Sequence, residues 1–168
     1  MKATIYWINT GYPGKLAIVP RPRGGDWLED ELQALRQGGL DVIVSLLETD
    51  EATDLGLELE SELSRAAGLE FISFPIVDRS IPVSSSAAVT LLEDLLGLIA
   101  AGKNVGVHCR QGIGRSALVA AGVLTLDGVS PSAAFQLVGD ARGIPVPETE
   151  QQRNWVIALA KEPAKRAA

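Results

Sequence analysis

The chain has 168 residues, 46% of them hydrophobic and 21% charged, with a formal net charge of -6 at pH 7. That length and composition suit one globular domain able to bury a full core. The negative balance argues against general binding to nucleic acid or to an anionic membrane, which a positive face would serve.

Ile5 to Ile8 and Leu16 to Val19 read as short strands joined by a turn at Gly11, Pro13 and Gly14. Pro20, Pro22, Gly24 and Gly25 make a loop. Asp26 is placed to cap a helix from about Trp27 to Gln37, with Leu28, Leu32 and Leu35 on one face and Gly38-Gly39 as its stop. Asp41 to Leu47 contains Val42-Ile43-Val44, a fully apolar strand of the kind found in the centre of a covered sheet. Thr53 to Ala67 predicts a second helix closed by Gly68, and Glu70 to Pro75 a strand. Pro82 and Ser84 to Ser86 open a helix carrying Val89, Leu92, Leu95, Leu96 and Ile99. Asn104 to Val107 is another apolar strand, running into His108-Cys109 and a glycine-rich turn. Helices follow over Arg115 to Leu126, from Ser130-Pro131 to about Ala141, and from Pro147 to about Lys161. The tail, 162–168, is expected to fray.

Strands alternate with helices, so the expected class is α/β. A central, mostly parallel sheet of about four to five strands would be flanked by helices, with a helical C-terminal third. No internal linker is visible, which makes 1–168 a single domain. One cysteine excludes an intrachain disulfide and fits a reducing compartment. The N-terminal apolar run is broken at Asn9, Gly11 and Pro13, too soon for a signal-peptide core. Ala117 to Leu126 is about half the length needed to span a bilayer. A cytoplasmic monomer without stable membrane association is the expectation.

The chemistry sits in Val105-Gly106-Val107-His108-Cys109-Arg110-Gln111-Gly112-Ile113-Gly114-Arg115-Ser116. A strand ends in a cysteine, five residues make a loop, and an arginine and a serine start an apolar helix. Gly112 and Gly114 let the loop curl so that backbone N–H groups converge on an anion. The helix start adds its free donors. Arg110, Gln111, Gly112, Ile113 and Gly114 would supply backbone donors, and Arg115 a forked pair to two phosphate oxygens. The same donors favour the thiolate, which is the nucleophilic form. No metal or other cofactor is called for. Upstream, Asp78 lies in Phe74-Pro75-Ile76-Val77-Asp78-Arg79-Ser80-Ile81-Pro82, after a strand and between prolines, where it suits a general acid.

His-Cys, five residues, then Arg-Ser resembles the signature of the protein tyrosine phosphatase superfamily. Asp78, four residues before Pro82, is similar to the acid loop of its dual-specificity branch. The resemblance implies a phosphatase-like fold and a cysteinyl-phosphate intermediate on Cys109. It also implies phosphate binding by Arg115, and Asp78 as acid and then base. Ser116 would hydrogen-bond the sulfur and help it leave, and His108 would order the loop without touching substrate. Val146 to Gln152 resembles the loop that positions the hydrolytic water, with Glu148 and Gln152 at the relevant places.

Plainer readings stand beside these. A lone cysteine is usually a small core residue, Asp78 could be only a turn residue, and Glu148 and Gln152 could be only helix caps. Glu48, after the Val42 to Leu47 strand, could brace Arg115 or could be a solvated helix-start carboxylate. Arg21 and Arg23 could contact an acidic substrate or lie in a solvated loop. The leading expectation is a phosphoprotein phosphatase acting on phosphotyrosine, and on phosphoserine or phosphothreonine as well if the pocket is shallow. A phosphoinositide or small phosphate ester is the second substrate class, disfavoured because the loop interior has one basic residue and Ile113. A catalytically silent phosphate-binding module is the third reading, disfavoured by Cys109, Arg115 and Asp78 occurring together.

Overall fold

The computed structural model describes residues 1–161, so the expected fraying of the tail lies outside the described residues. Five strands form one sheet: β1 (Tyr6–Ile8), β2 (Leu16–Ile18), β3 (Val42–Ser45), β4 (Glu70–Ser73) and β5 (Val105–His108). Their order is β1-β2-β5-β3-β4, with β1 antiparallel to β2 and the other neighbours parallel. Among the described residues seven α-helices flank it: α1 (Leu28–Gln37), α2 (Thr49–Asp54), α3 (Glu60–Ala66), α4 (Ser85–Ala100), α5 (Arg115–Leu126), α6 (Pro131–Arg142) and α7 (Glu150–Ala160).

Strand periodicity divides the interior into two cores. Val42, Val44, Val105 and Val107 point into the larger core, which α4 to α7 cover. Ile43 points to the opposite side, into a smaller core shared with Leu28, Leu32 and Leu35 of α1. β2, β5 and β3 are the interior strands of the sheet, with β5 in the middle, and all three are buried along their length, as strands covered on both faces require. Gly106 in β5 has no room for a side chain: a Cβ there would lie 2.9 Å from Leu40 and 3.0 Å from Val19.

Some helix boundaries differ from expectation. The stretch Thr53 to Ala67 is two short helices rather than one. Gly56 adopts φ +70 between them, a left-handed turn that stops α2. Asp26 does not cap α1; it lies in a single 3₁₀ turn, Gly25–Trp27, that leads into the helix. No described helix is long and apolar enough to cross a membrane.

β3, β4 and β5 run parallel and end level, with Ser45 opposite both Ser73 and His108. The loops that follow them leave from the same sheet edge. In open α/β sheets ligands bind at that edge. The loop after β5 holds Cys109, the loop after β4 holds Asp78, and the loop after β3 leads into α2.

Candidate active site

Cys109 follows β5 directly and is buried. Helix α5 starts at Arg115, so residues 110–114 are all loop. Three successive carbonyls of that loop are tied by arginines. Arg21 Nη1 donates to the Arg110 carbonyl at 2.8 Å, Arg142 Nη2 to that of Gln111 at 3.1 Å, and Arg142 Nε to that of Gly112 at 3.2 Å. In a trans peptide the N–H points opposite to the C=O. Holding the carbonyls on one side thus turns the following N–H groups to the other. The Gly112 N–H donates to Cys109 Sγ at 3.3 Å. Gly112 has φ +73, a conformation that favours glycine.

Arg115 is 1% exposed and clamped from helix α2 and from the loop after β4. Its Nη1 donates to Glu51 Oε1 at 2.6 Å and to the Ile76 carbonyl at 2.8 Å; its Nη2 donates to Glu51 Oε2 at 2.9 Å and to Asp78 Oδ1 at 3.1 Å. Burial opposes its charge, but the Glu51 hydrogen bond and the nearby Cys109, Glu51 and Asp78 outweigh burial and hold its pKa above the ordinary value. Its Nε is buried without a hydrogen-bond partner among the described residues. A buried, permanently charged donor left unpaired is costly for the protein alone and suited to an anion.

Glu51 is the residue that sequence reasoning missed here. Glu48 stands at the N-cap of α2, and its own N–H donates to Glu51 Oε1 at 3.1 Å. One helical turn later Glu51 faces the guanidinium, so of the two readings of Glu48 the structure keeps the helix-start carboxylate, and Glu51 makes the brace. Burial pushes the Glu51 carboxyl up, but hydrogen bonds from Arg115 and the Glu48 N–H, with the charges of Arg115 and Arg110, bring it below the ordinary range.

His108 is completely buried, and Nε2 lies 2.5 Å from Oε2 of the buried Glu60 at the start of α3. Glu60 carried no recognisable signal in sequence. Ser116 is buried with its hydroxyl unpartnered among the described residues. The hydrogen bond to sulfur expected of it is not made here; the Gly112 N–H makes one instead.

Asp78 is half-exposed and follows Ile76, whose N–H is tied to the Leu46 carbonyl at 3.0 Å. Its neighbour Arg79 has φ +62, unusual for a side chain this bulky. The acid loop is stitched to the Val146-to-Gln152 segment. Arg79 pairs with Glu148 at 3.0 Å, and Gln152 Nε2 donates to the Ser80 carbonyl at 3.1 Å. Gln152 also caps α7, which begins at Glu150 rather than Pro147. Its Oε1 accepts the Thr149 N–H, and the Thr149 hydroxyl accepts the Gln152 N–H. Both side chains nevertheless flank the cradle. A Cβ on Gly114 would lie 3.0 Å from Gln152 Nε2 and 3.1 Å from Glu148 Oε1.

One structural arrangement thus joins a cysteine sulfur, a clamped arginine and a loop carboxylate. The model of a family described as Tc-R-P, polymorphic toxin system, DSP-PTPase phosphatase, matches residues 19–129. The chain belongs to that family. It is a phosphatase of the cysteine-based protein tyrosine phosphatase superfamily, on the dual-specificity side. The matched segment contains the cradle, Glu51 and Asp78, and stops before Arg142, Glu148 and Gln152.

Three solved phosphatase structures share the fold. Kinase associated phosphatase, in a form with serine replacing its catalytic-site cysteine, is 21% identical with TM-score 0.86, over 97% of this chain and 99% of that one. Tk-PTP in its active form is 26% identical with TM-score 0.79, over 97% and 100%. PTPMT1 in complex with PI(5)P is 21% identical with TM-score 0.73, over 87% and 90%. No curated protein sequence matches the chain.

Proposed function

We propose that the chain is a phosphoprotein phosphatase that hydrolyses phosphotyrosine by way of a cysteinyl-phosphate, with 1–168 acting as one catalytic unit. The observation that carries this reading is the buried Arg115, whose Nε lacks a partner among the described residues, beside a cysteine sulfur that already accepts a loop N–H. The Cys109 thiolate attacks phosphorus and the bond to the leaving oxygen breaks, while Asp78 gives that oxygen its proton. Water then attacks the phosphocysteine, its proton goes to Asp78, and phosphate leaves as the thiolate reforms. Loop N–H groups and Arg115 stabilise the equatorial oxygens in both steps. Ser116, one residue past the arginine, is assigned to the departing sulfur. Gln152 and Glu148 are assigned to the water, supported by their distance to Gly114.

Hydrolysis of a small aryl phosphate by wild type and Cys109→Ser tests the chemistry. Near-total loss in the variant is expected, and undiminished turnover would sink the reading. A panel of phosphopeptides and phosphoinositides compared by kcat/KM tests the substrate class. Better turnover of the lipids would replace phosphoprotein by phosphoinositide.

A further inference from the structure

The acid loop makes a tight turn at Asp78. The Ser80 N–H donates to the Val77 carbonyl at 3.0 Å, so residues 77–80 form a β-turn with Asp78 and Arg79 at its centre. Arg79 has φ +62 and is the one non-glycine residue with a positive φ among the described residues. A positive φ at the second central position alone marks a type II turn, a place that glycine fills without strain. An arginine there keeps a strain in the backbone that glycine would remove.

Its side chain joins the turn to the segment before α7. Arg79 Nη1 lies 3.0 Å from Glu148 Oε2. The other oxygen of that carboxylate faces the cradle: a Cβ on Gly114 would lie 3.1 Å from Glu148 Oε1. The segment that carries Glu148 is itself fixed. Val146 is buried and its carbonyl accepts Arg153 Nη2 at 3.1 Å, while the buried Gln152 donates to the Ser80 carbonyl at 3.1 Å. Arg79 is 63% exposed, and an ion pair so open to water adds little stability. Stability therefore does not account for a strained arginine at this position. The placement of the turn does.

Resting on the phosphatase reading above, we propose that Arg79 is a positioning residue for the general acid. Its pair with Glu148 holds the turn down on the cradle and keeps the Asp78 carboxyl within reach of the leaving oxygen. The contact of Asp78 with Arg115, 3.1 Å long, cannot do this during the reaction. A general acid acts in its protonated form, and a neutral carboxyl has no ion pair with a guanidinium. Arg115 is at that moment turned to phosphate. The Arg79–Glu148 pair is independent of the proton on Asp78, so it fastens the loop in the state that matters.

The test compares two small aryl phosphates, one releasing a strongly acidic nitrophenol and one releasing phenol. The readout is the ratio of their kcat/KM values, which report the steps up to departure of the leaving group. Phenol needs the proton far more than nitrophenol does, so a misplaced acid raises the ratio, whereas a general loss of folded enzyme leaves it unmoved. Arg79→Gly should raise the ratio about tenfold, part of a general acid's share. Its Tm should be equal or higher, since glycine takes the turn without strain. Arg79→Lys should restore most of the wild-type ratio. In an Asp78→Asn background, Arg79→Gly should add nothing further. High salt should raise the ratio of wild type but not that of Arg79→Gly, since an exposed pair is screened. A ratio unchanged in Arg79→Gly overturns the proposal. So does an equal loss with both phosphates, which would make Arg79 a substrate-binding cation, or a further rise on top of Asp78→Asn. Failure of the phosphatase reading itself would look different: wild type would turn over neither phosphate.

Discussion

Arg115 carries the largest electrostatic burden at the site. It is buried, charged and held by Glu51 through two hydrogen bonds. Glu51→Gln keeps the shape and removes the counter-charge. Breaking one partner of a buried pair costs roughly 3 kcal/mol, so a loss of about that size is expected in urea unfolding, together with a raised KM for aryl phosphate. Asp78 makes a different contact. It offers one oxygen to Arg115 from a half-exposed loop, so its removal should cost little stability. Asp78→Asn should lower kcat about 100-fold, the usual share of a general acid. It should also abolish the high-pH limb of the pH–rate profile, because an amide has no proton to lose. A retained high-pH limb would assign the acid elsewhere. At this scale Cys109, Arg115 and Asp78 were visible in the sequence because each stands at a characteristic interval or next to breakers. Glu51, Glu60, Arg21 and Arg142 were not recognised as props of the cradle. Their partners lie 30 to 89 residues away, and nothing local distinguishes them from solvated charges.

At the level of elements, the acid loop and the start of α7 behave as one piece. Thr149 and Gln152 cap each other, and Gln152 also holds the Ser80 carbonyl. Thr149→Ala should cost about 1 kcal/mol through the lost cap. It should also reduce kcat by loosening Gln152, readable as slower breakdown of the phosphocysteine in burst kinetics. Stability loss without a kinetic change would make the segment a cap alone. Gly24→Ala tests the contact between the loop after β2 and the end of α2. The added Cβ meets backbone, which cannot swing aside, so Gly24→Ala should lower Tm far more than the same change at Gly11, where nothing lies within 4 Å. Element types were largely legible from apolar runs, caps and glycines. The split of α2 from α3 was not, because Gly56 could be read either as a tolerated helical glycine or as a stop.

Over the whole molecule, acidity should be the weak direction. Burial pushes the Asp41 carboxyl up, but the Asn104 N–H, the Arg36 hydrogen bond and the charges of Arg36 and Lys103 bring it below its ordinary value of 3.8. Glu51 is likewise held below its ordinary 4.5. A folded pKa below the unfolded one gives stability that is complete above the unfolded value and is lost as pH falls through the folded value. Unfolding free energy should therefore decline below about pH 4.5, and the slope should be shallower in Glu51→Gln. An unchanged slope would place the acid sensitivity elsewhere.

From the sequence alone came the α/β class, the apolar strands over Val42–Val44 and Asn104–Val107, and the expectation of an anion cradle built from a cysteine, a loop and an arginine. These follow from local rules: strand and helix periods, glycine conformations and helix starts act over a few residues. Tertiary structure alone decided what surrounds the cradle. It brought the ends of β3, β4 and β5 to one edge, gave Arg115 to Glu51 instead of Glu48, tied three loop carbonyls to Arg21 and Arg142, and paired Arg79 of the acid loop with Glu148. Long-range ion pairs depend on where whole elements pack, and a charged side chain reads the same in sequence whether it meets water or a buried partner.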